Sequence, residues 1–216
     1  MSWLAKAVVG AESIVNAAIF DSYRWHKRLY DLFPGVEFKQ DQRGFLSRID
    51  LFPEEARVWV LSRTEPQCPS WCSPESFEVK PILGTFLDHK RYLFDLKVVA
   101  TRTYLERNPD GSIPLNSRGR LQRGKLYSIL NPEDLLQWIV SKGLKSGFQV
   151  DESSLGISPP VREYFHYKGR NDYHTVTNFR GVLSVVNQEQ FSHQYYEGYG
   201  KARGFGYGLA LLSPIA

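Results

Sequence analysis

Residues 162–212, R-E-Y-F-H-Y-K-G-R-N-D-Y-H-T-V-T-N-F-R-G-V-L-S-V-V-N-Q-E-Q-F-S-H-Q-Y-Y-E-G-Y-G-K-A-R-G-F-G-Y-G-L-A-L-L, read as strand, turn, strand, helix and strand. Arg162–Lys168 and Tyr173–Val186 are the two strands, joined by the hairpin turn G-R-N-D. Asn187 then caps a helix that runs to about Tyr196, Gly198 ends it, and the apolar run Leu209–Leu212 is a closing strand. Upstream, Asn131 is an N-cap with Pro132 at the first helical position, Glu133 and Asp134 in the first turn and Gly143 as a stop. From about Thr101 onward the order approximates β-α-β-β-α-β.

The first half repeats that order. Trp3–Val9 is short, apolar and β-compatible, and a helix is expected from about Asn16 to Leu32, closed by Pro34-Gly35. Ala18, Trp25, Leu29 and Leu32 fall on one stripe of that helix, the side that faces a core. Gly44–Leu51 and Arg57–Arg63 are strands about the turn F-P-E-E. After a loop rich in Pro, Cys and Ser, Arg91–Ala100 reads as the last strand of the half. Two β-α-β-β-α-β units in succession predict an α+β fold of two tandem ferredoxin-like (RRM-like) domains with antiparallel sheets, residues 1–100 and 101–216. No sequence repeat relates the halves; element order alone carries the duplication.

Composition narrows the class of partner. The 216 residues carry 27 Lys and Arg against 23 Asp and Glu, a net charge of +4. The excess concentrates between Lys97 and Lys125, where Arg102, Arg107, Arg118, Arg120 and Arg123 meet only Glu106 and Asp110. Such a stripe is either a solvated face or a track for an anion. The two cysteines, Cys68 and Cys72, are too few for a disulfide framework and lack the further ligands of a zinc site. The N-terminus lacks the apolar core of a signal peptide, and no apolar run approaches the roughly 20 residues of a membrane span. A cytoplasmic protein without membrane contact is expected.

Two segments can carry chemistry. Between Gly198 and Gly208, five glycines surround Lys201 and Arg203 and alternate with Tyr199, Phe205 and Tyr207. Glycine lets backbone N–H groups approach an anion closely, so a basic glycine-rich turn suits a phosphodiester. It is no Walker loop, because Gly200-Lys201 is followed by alanine. The helix segment Y-R-W-H-K-R, residues 23–28, sets Tyr23 and His26 three apart on the flank of the buried stripe, with Arg24, Lys27 and Arg28 on the remaining surface. The ordinary alternative is a tyrosine and a histidine edging a core beneath solvated cations. The chemical reading is a ribonuclease. RNA brings its own nucleophile, the 2′-hydroxyl, and histidine titrates near working pH. A neighbouring tyrosine can orient imidazole or phosphate, while Lys or Arg neutralises charge developing in the transition state. The aromatic hairpin Arg162–Thr177, with Arg162, Lys168 and Arg170, is either an ordinary cross-strand face or a cationic finger against an RNA stem. His89, His166, His174 and His193 fit no metal-binding pattern, and neither a metal nor a small-molecule cofactor is expected.

The order of F-D-L-K-V-V-A-T-R, R-G-R-L-Q-R-G-K, F-R-G-V-L-S-V, the helix Y-R-W-H-K-R-L-Y-D-L-F-P and the glycine-rich tail resembles the CasE family of CRISPR repeat-processing endoribonucleases, of the Cascade type I-E systems. The resemblance implies two ferredoxin-like domains and metal-independent cleavage of a CRISPR repeat stem-loop. The expected product ends are a 5′-hydroxyl and a cyclic phosphate. Family members usually hold their product within the surveillance complex, so other Cascade subunits are implied partners. His26 falls where the family places its catalytic histidine, and Tyr23 where some members place a tyrosine. RNA-binding roles then follow for Lys27 and Arg28, for Gly200, Lys201 and Arg203 of the tail, for Arg118, Arg120, Arg123 and Lys125 of the basic loop, and for Arg162, Lys168 and Arg170 of the hairpin. Whether His26 acts as base, acid or both stays open. So does the alternative of a non-catalytic subunit that only caps the RNA hairpin.

Overall fold

Alternating apolar side chains make Ser2–Gly10 a strand, β1, with Ala5, Ala7 and Val9 buried on one face. The computed structural model describes residues 1–38 and 44–215. After β1 come two short helices, α1 (Ala11–Asn16) and α2 (Ser22–Arg28), the second continued by a 3-10 turn at Leu29–Leu32. Strands β2 (Phe45–Leu51), β3 (Glu55–Ser62) and β4 (Phe77–Ile82) complete an antiparallel sheet of order β2-β3-β1-β4. That is the order of a ferredoxin-like unit, with β3 filling the gap between strands joined by a helical crossover.

The second unit starts with β5 (Arg91–Val98) and sends out a two-stranded arm, β6 (Thr101–Tyr104) with β7 (Lys125–Ser128). It continues through α3 (Pro132–Lys145), the short β8 (Phe148–Val150) and β9 (Gly156–Ile157), β10 (Val161–Tyr167), β11 (Arg170–Val185), α4 (Gln188–Glu197) and β12 (Ala210–Ile215). Its sheet runs β10-β11-β5-β12, with β8 and β9 also on β11. The chain is therefore α+β with two tandem ferredoxin-like units.

Four expectations need correction. Arg91–Val98 pairs with β11 and β12, so the division between the sheets falls between Ile82 and Arg91 and not at residue 100. The true fourth strand of the first sheet is F-E-V-K-P-I, whose polar residues and Pro81 disguise it. It lies at the sheet edge, where a missing N–H costs no ladder bond. The long helix from Asn16 is broken: Ala18 has φ 53° and Asp21 is extended, so the helix restarts with Asp21 as its cap. Trp25, Leu29 and Leu32 of the expected stripe are buried, while Ala18 sits in the break. Gly143 does not stop α3, which runs on to Lys145; its missing side chain instead admits Phe148, whose ring would lie 2.8 Å from a Cβ. The hairpin turn is also tighter than expected. Lys168 and Gly169, both at positive φ, are the two central residues, the geometry that matches strand twist.

Each unit has its own core. Trp25, Leu29, Val58 and Val60 anchor the first, and Tyr92, Leu96, Leu135, Phe179 and Phe191 the second. A polar clamp joins them. The guanidinium of Arg48 on β2 donates to Asp50 at 2.9 Å and to Asp95 of β5 at 2.6 Å, and Arg180 reaches the other Asp95 oxygen at 2.6 Å. Lys97 donates to Glu163 at 2.9 Å and to the Ile49 carbonyl at 2.8 Å.

Candidate active site

The first turn of α2 is tied down twice by one side chain. Asp21 Oδ1 accepts from the Arg24 N–H at 2.8 Å, capping the helix, and Oδ2 accepts from the His166 N–H of β10 at 3.1 Å. Trp25 plugs the core edge-on against Trp71, whose Nε1 donates to Asp31 at 3.1 Å. With that face buried, Tyr23 and His26 turn toward the hairpin β10–β11 and the glycine-rich tail.

The tail folds back on itself to meet them. The Tyr199 N–H donates to the Gly208 carbonyl, the Lys201 N–H to Val99 and the Gly208 N–H to Lys97. A 3-10 turn at Arg203–Phe205 then brings Gly204 against His26, where a Cβ would stand 3.6 Å from Cε1 and 3.7 Å from Nδ1. Phe205 stacks on the imidazole with centroids 5.7 Å apart and planes at 26°, and its other neighbours are Tyr23, Phe165 and His174. The His26 ring is half-buried, and Nδ1 is wholly enclosed against the Gly204 backbone. Burial pushes its pKa below the usual 6.5, and the Gly204 backbone partly opposes that shift. The imidazole is therefore neutral at pH 7. His174, stacked on Phe165 and edge-on to Phe205, is depressed by burial as well, with Asp172 and Glu163 opposing.

Beside Tyr23 a cleft of about 550 Å³ opens between α2 and the hairpin tip, lined by Tyr23, Lys27, Arg28, His166 and Lys168 among others. Lys27 lies over the Tyr23 ring at 4.6 Å, and Tyr23 meets Tyr167 edge-on at 5.0 Å. Lys168 covers Tyr167 at 5.3 Å. Arg28 is partly neutralised by Asp31 at 3.6 Å and donates to the Ala17 carbonyl. The cleft thus presents cations on an aromatic floor, a surface suited to a polyanion with bases.

The fold gathers the expected residues unevenly. Tyr23, Lys27, Arg28 and Lys168 line one cleft, and His26 is outside its lining, sharing the Phe205 ring with Tyr23; Arg162, over Tyr173 at 4.7 Å, and Arg170 are exposed on the hairpin strands. Lys201 is exposed on the tail, whereas the Arg203 guanidinium donates to the Glu197 and Gly198 carbonyls and so staples the turn. Gly200 is required by packing, since a Cβ there would lie 2.2 Å from Val98 Cγ2. Arg118, Arg120 and Arg123 sit on a loop that hydrogen-bonds to itself, and Lys125 pairs with Glu106 at 3.7 Å. No hydrogen bond, ion pair or ring contact among the described residues joins that loop to α2. Sequence reasoning missed Asp21, although F-D-S at the helix start was a legible capping signal; it placed Gly204 and Phe205 in the tail turn but not against His26, because the stacking of Phe205 on His26 is a long-range contact with no local sign. No group of three or more His, Cys, Asp and Glu among the described residues is arranged to hold a metal.

A family model described as "CRISPR associated protein" matches residues 3–214. The chain belongs to this family. Among curated proteins it is 26% identical over 208 residues to the CRISPR system Cascade subunit CasE of Escherichia coli K12, covering 94% of this chain and 96% of that one. Among solved structures it is similar to the CRISPR endoribonuclease Cse3 bound to 19 nt RNA, at 19% identity and TM-score 0.72, covering 98% of this chain and all of the other. It is also similar to Thermus thermophilus Cse3 bound to an RNA representing a pre-cleavage complex, at 19% identity and TM-score 0.70, covering 99% of each. These likenesses cover the whole length of the chain, both ferredoxin-like units included, and show a fold shared with those structures.

Proposed function

We propose that this chain is a cytoplasmic, metal-independent endoribonuclease that cuts precursor CRISPR RNA at the base of a repeat stem-loop and stays bound as a Cascade subunit. The observation that carries the reading is the His26 ring held against Gly204 and Phe205 of the basic tail turn, on the helix that also lines a cationic cleft. Nδ1 is the enclosed nitrogen, so proton transfer falls to Nε2. A neutral imidazole takes the 2′-hydroxyl proton, the 2′-oxygen attacks phosphorus, and the P–O5′ bond breaks. The products are a 2′,3′-cyclic phosphate and, once the leaving oxygen is protonated, a 5′-hydroxyl. Tyr23 orients the phosphate or the ring, and Lys27, Arg28 and Lys168 offset charge on the phosphorane.

Incubation with end-labelled repeat RNA in excess EDTA is expected to give one cut with those ends. Loss of cleavage that magnesium restores would overturn the chemistry; tight binding without any cut would leave a hairpin-capping subunit. A second expectation isolates the tail. Gly204 has ordinary φ, and an added methyl would only touch the His26 ring, so Gly204→Ala should fold with an unchanged melting temperature. The methyl meets Cε1 and Nδ1 in ordinary contact and leaves the Nε2 side open, so single-turnover cleavage should stay near the wild-type rate. A large loss of rate in Gly204→Ala would show that the phosphate approaches over Gly204 and not at Nε2.

A further inference from the structure

Two imidazoles meet on the ring of Phe205. It stacks on His26, with centroids 5.7 Å apart, and it has His174 of β11 edge-on at 4.8 Å and Phe165 of β10 at 5.2 Å. His174 and Phe165 are diagonal neighbours across the hairpin and stack on each other at 4.8 Å and 26°. Tyr207 meets His174 edge-on at 5.5 Å. Phe205 depends on this support. It is only partly buried, it stands between Gly204 and Gly206, and its N–H donates within the same short turn, to the Ala202 carbonyl at 2.9 Å. No side chain beside it in the chain steadies the ring, so Phe165 and His174 set how it lies over His26.

His174 brings no hydrogen bond from Nε2, which is enclosed without a partner among the described residues, an uncommon state for a buried ring nitrogen. Burial keeps the ring neutral at pH 7, while Asp172 and Glu163 pull the other way. Glu163 is itself engaged by Lys97 at 2.9 Å and by the Tyr207 hydroxyl at 2.8 Å. What the side chain supplies is a flat wedge between the hairpin and Phe205. Around His26 the other titratable groups are Tyr30, edge-on at 5.3 Å, and Tyr23, which shares Phe205 at 6.4 Å. The Arg203 guanidinium donates to the Glu197 and Gly198 carbonyls, and the His166 ring is turned to Asn171 at 3.0 Å.

We propose that His174 is a positioning residue: it holds Phe205 against His26 and so fixes the orientation and enclosure of the imidazole that moves the proton. The proposal rests on the endoribonuclease reading above and adds to it a residue that acts only through Phe205.

Two readouts test it: the NMR titration of the His26 ring proton, assigned by its loss in His26→Ala, and the pH profile of single-turnover cleavage. His174→Val keeps a strand-forming side chain but leaves a gap. Phe205 then moves back and His26 gains solvent, so its titration and the acid limb of the rate should both rise toward 6.5. The rate above that limb should fall by up to roughly 10²-fold, with affinity for the stem-loop unchanged. His174→Ala, with the larger gap, should move both readouts further in the same direction. His174→Phe keeps a ring in place and should keep the wild-type rate and titration. A merely structural His174 would lower the melting temperature of the Val and Ala variants and leave the His26 titration where it is. That result, or an equal shift in His174→Phe, would overturn the proposal. Failure of the wild-type protein to cut repeat RNA would instead overturn the reading beneath it, and the NMR titration would still decide whether His174 positions His26.

Discussion

His26→Ala is expected to slow single-turnover cleavage of repeat RNA by roughly 10²- to 10⁴-fold, the usual worth of a positioned general acid or base, with affinity for the stem-loop nearly unchanged. Affinity is spared because the cations proposed to hold phosphates, Lys27, Arg28 and Lys168, are separate side chains around the cleft. The pH profile gives a second signature. Burial lowers the His26 pKa, so the proton-accepting form predominates at neutrality. The wild-type rate should hold down to about pH 6.5 and fall only at lower pH, as the lowered pKa is crossed. The same shift acts on stability. His26 and His174 both titrate below the unfolded value, so stability is full above about pH 6.5 and is lost as pH falls through their folded values. The Ala variant should therefore lose the acid limb in rate and part of the acid sensitivity in melting. Equal cleavage by variant and wild type, or an acid limb that survives the substitution, would remove His26 from the mechanism.

What could be read from the chain and what could not divides along the range of the interactions. Local signals held: Asn131-Pro132 and Asn187 cap α3 and α4, and the side-chain oxygens of both asparagines accept helical N–H groups. The hairpin and closing strand were legible because alternation and turn residues are neighbours in sequence. Strand partnership was not. The pattern R-Y-L-F-D-L-K-V declares a strand but not its sheet, which is settled by distant residues of β11 and β12. The site divides in the same way. His26 and the glycine-rich tail were visible separately, as residue types suited to proton transfer and to close backbone approach. Their meeting depends on Gly208 folding back onto Tyr199, a position where a Cβ would lie 2.1 Å from the Tyr199 carbonyl oxygen. The same geometry reassigns the tail glycines, for Gly200 and Gly208 serve packing and Gly204 alone faces the imidazole.

Arg48→Ala should cost about 3–5 kcal/mol, the penalty for stranding a partner of a buried ion pair, and at this size lower the melting temperature by roughly 6–20 °C. Arg57→Ala is the control. Arg57 meets Glu55 at 2.7 Å, as close as Arg48 meets its carboxylates, but its side chain is 50% exposed against 3% for Arg48. A solvated pair of that kind is worth about 0–1 kcal/mol. Burial, not distance, separates the two, and truncation leaves Asp50 and Asp95 facing a gap between the sheets, with Arg180 still paired to Asp95. The loss reaches the active site through short links. Ile49, next to Arg48, packs its Cδ1 where a Cβ on Gly206 would lie 2.2 Å away, and its carbonyl accepts from Lys97. Lys97 pairs with Glu163, which accepts from the buried Tyr207 hydroxyl at 2.8 Å. Loosening that chain lets the tail turn shift against α2, so Arg48→Ala should cleave more slowly than wild type even at temperatures where it remains folded. Arg57→Ala should match wild type in both respects. Equal melting shifts for the two variants would mean that the inter-unit clamp is solvated and contributes no more than a surface pair.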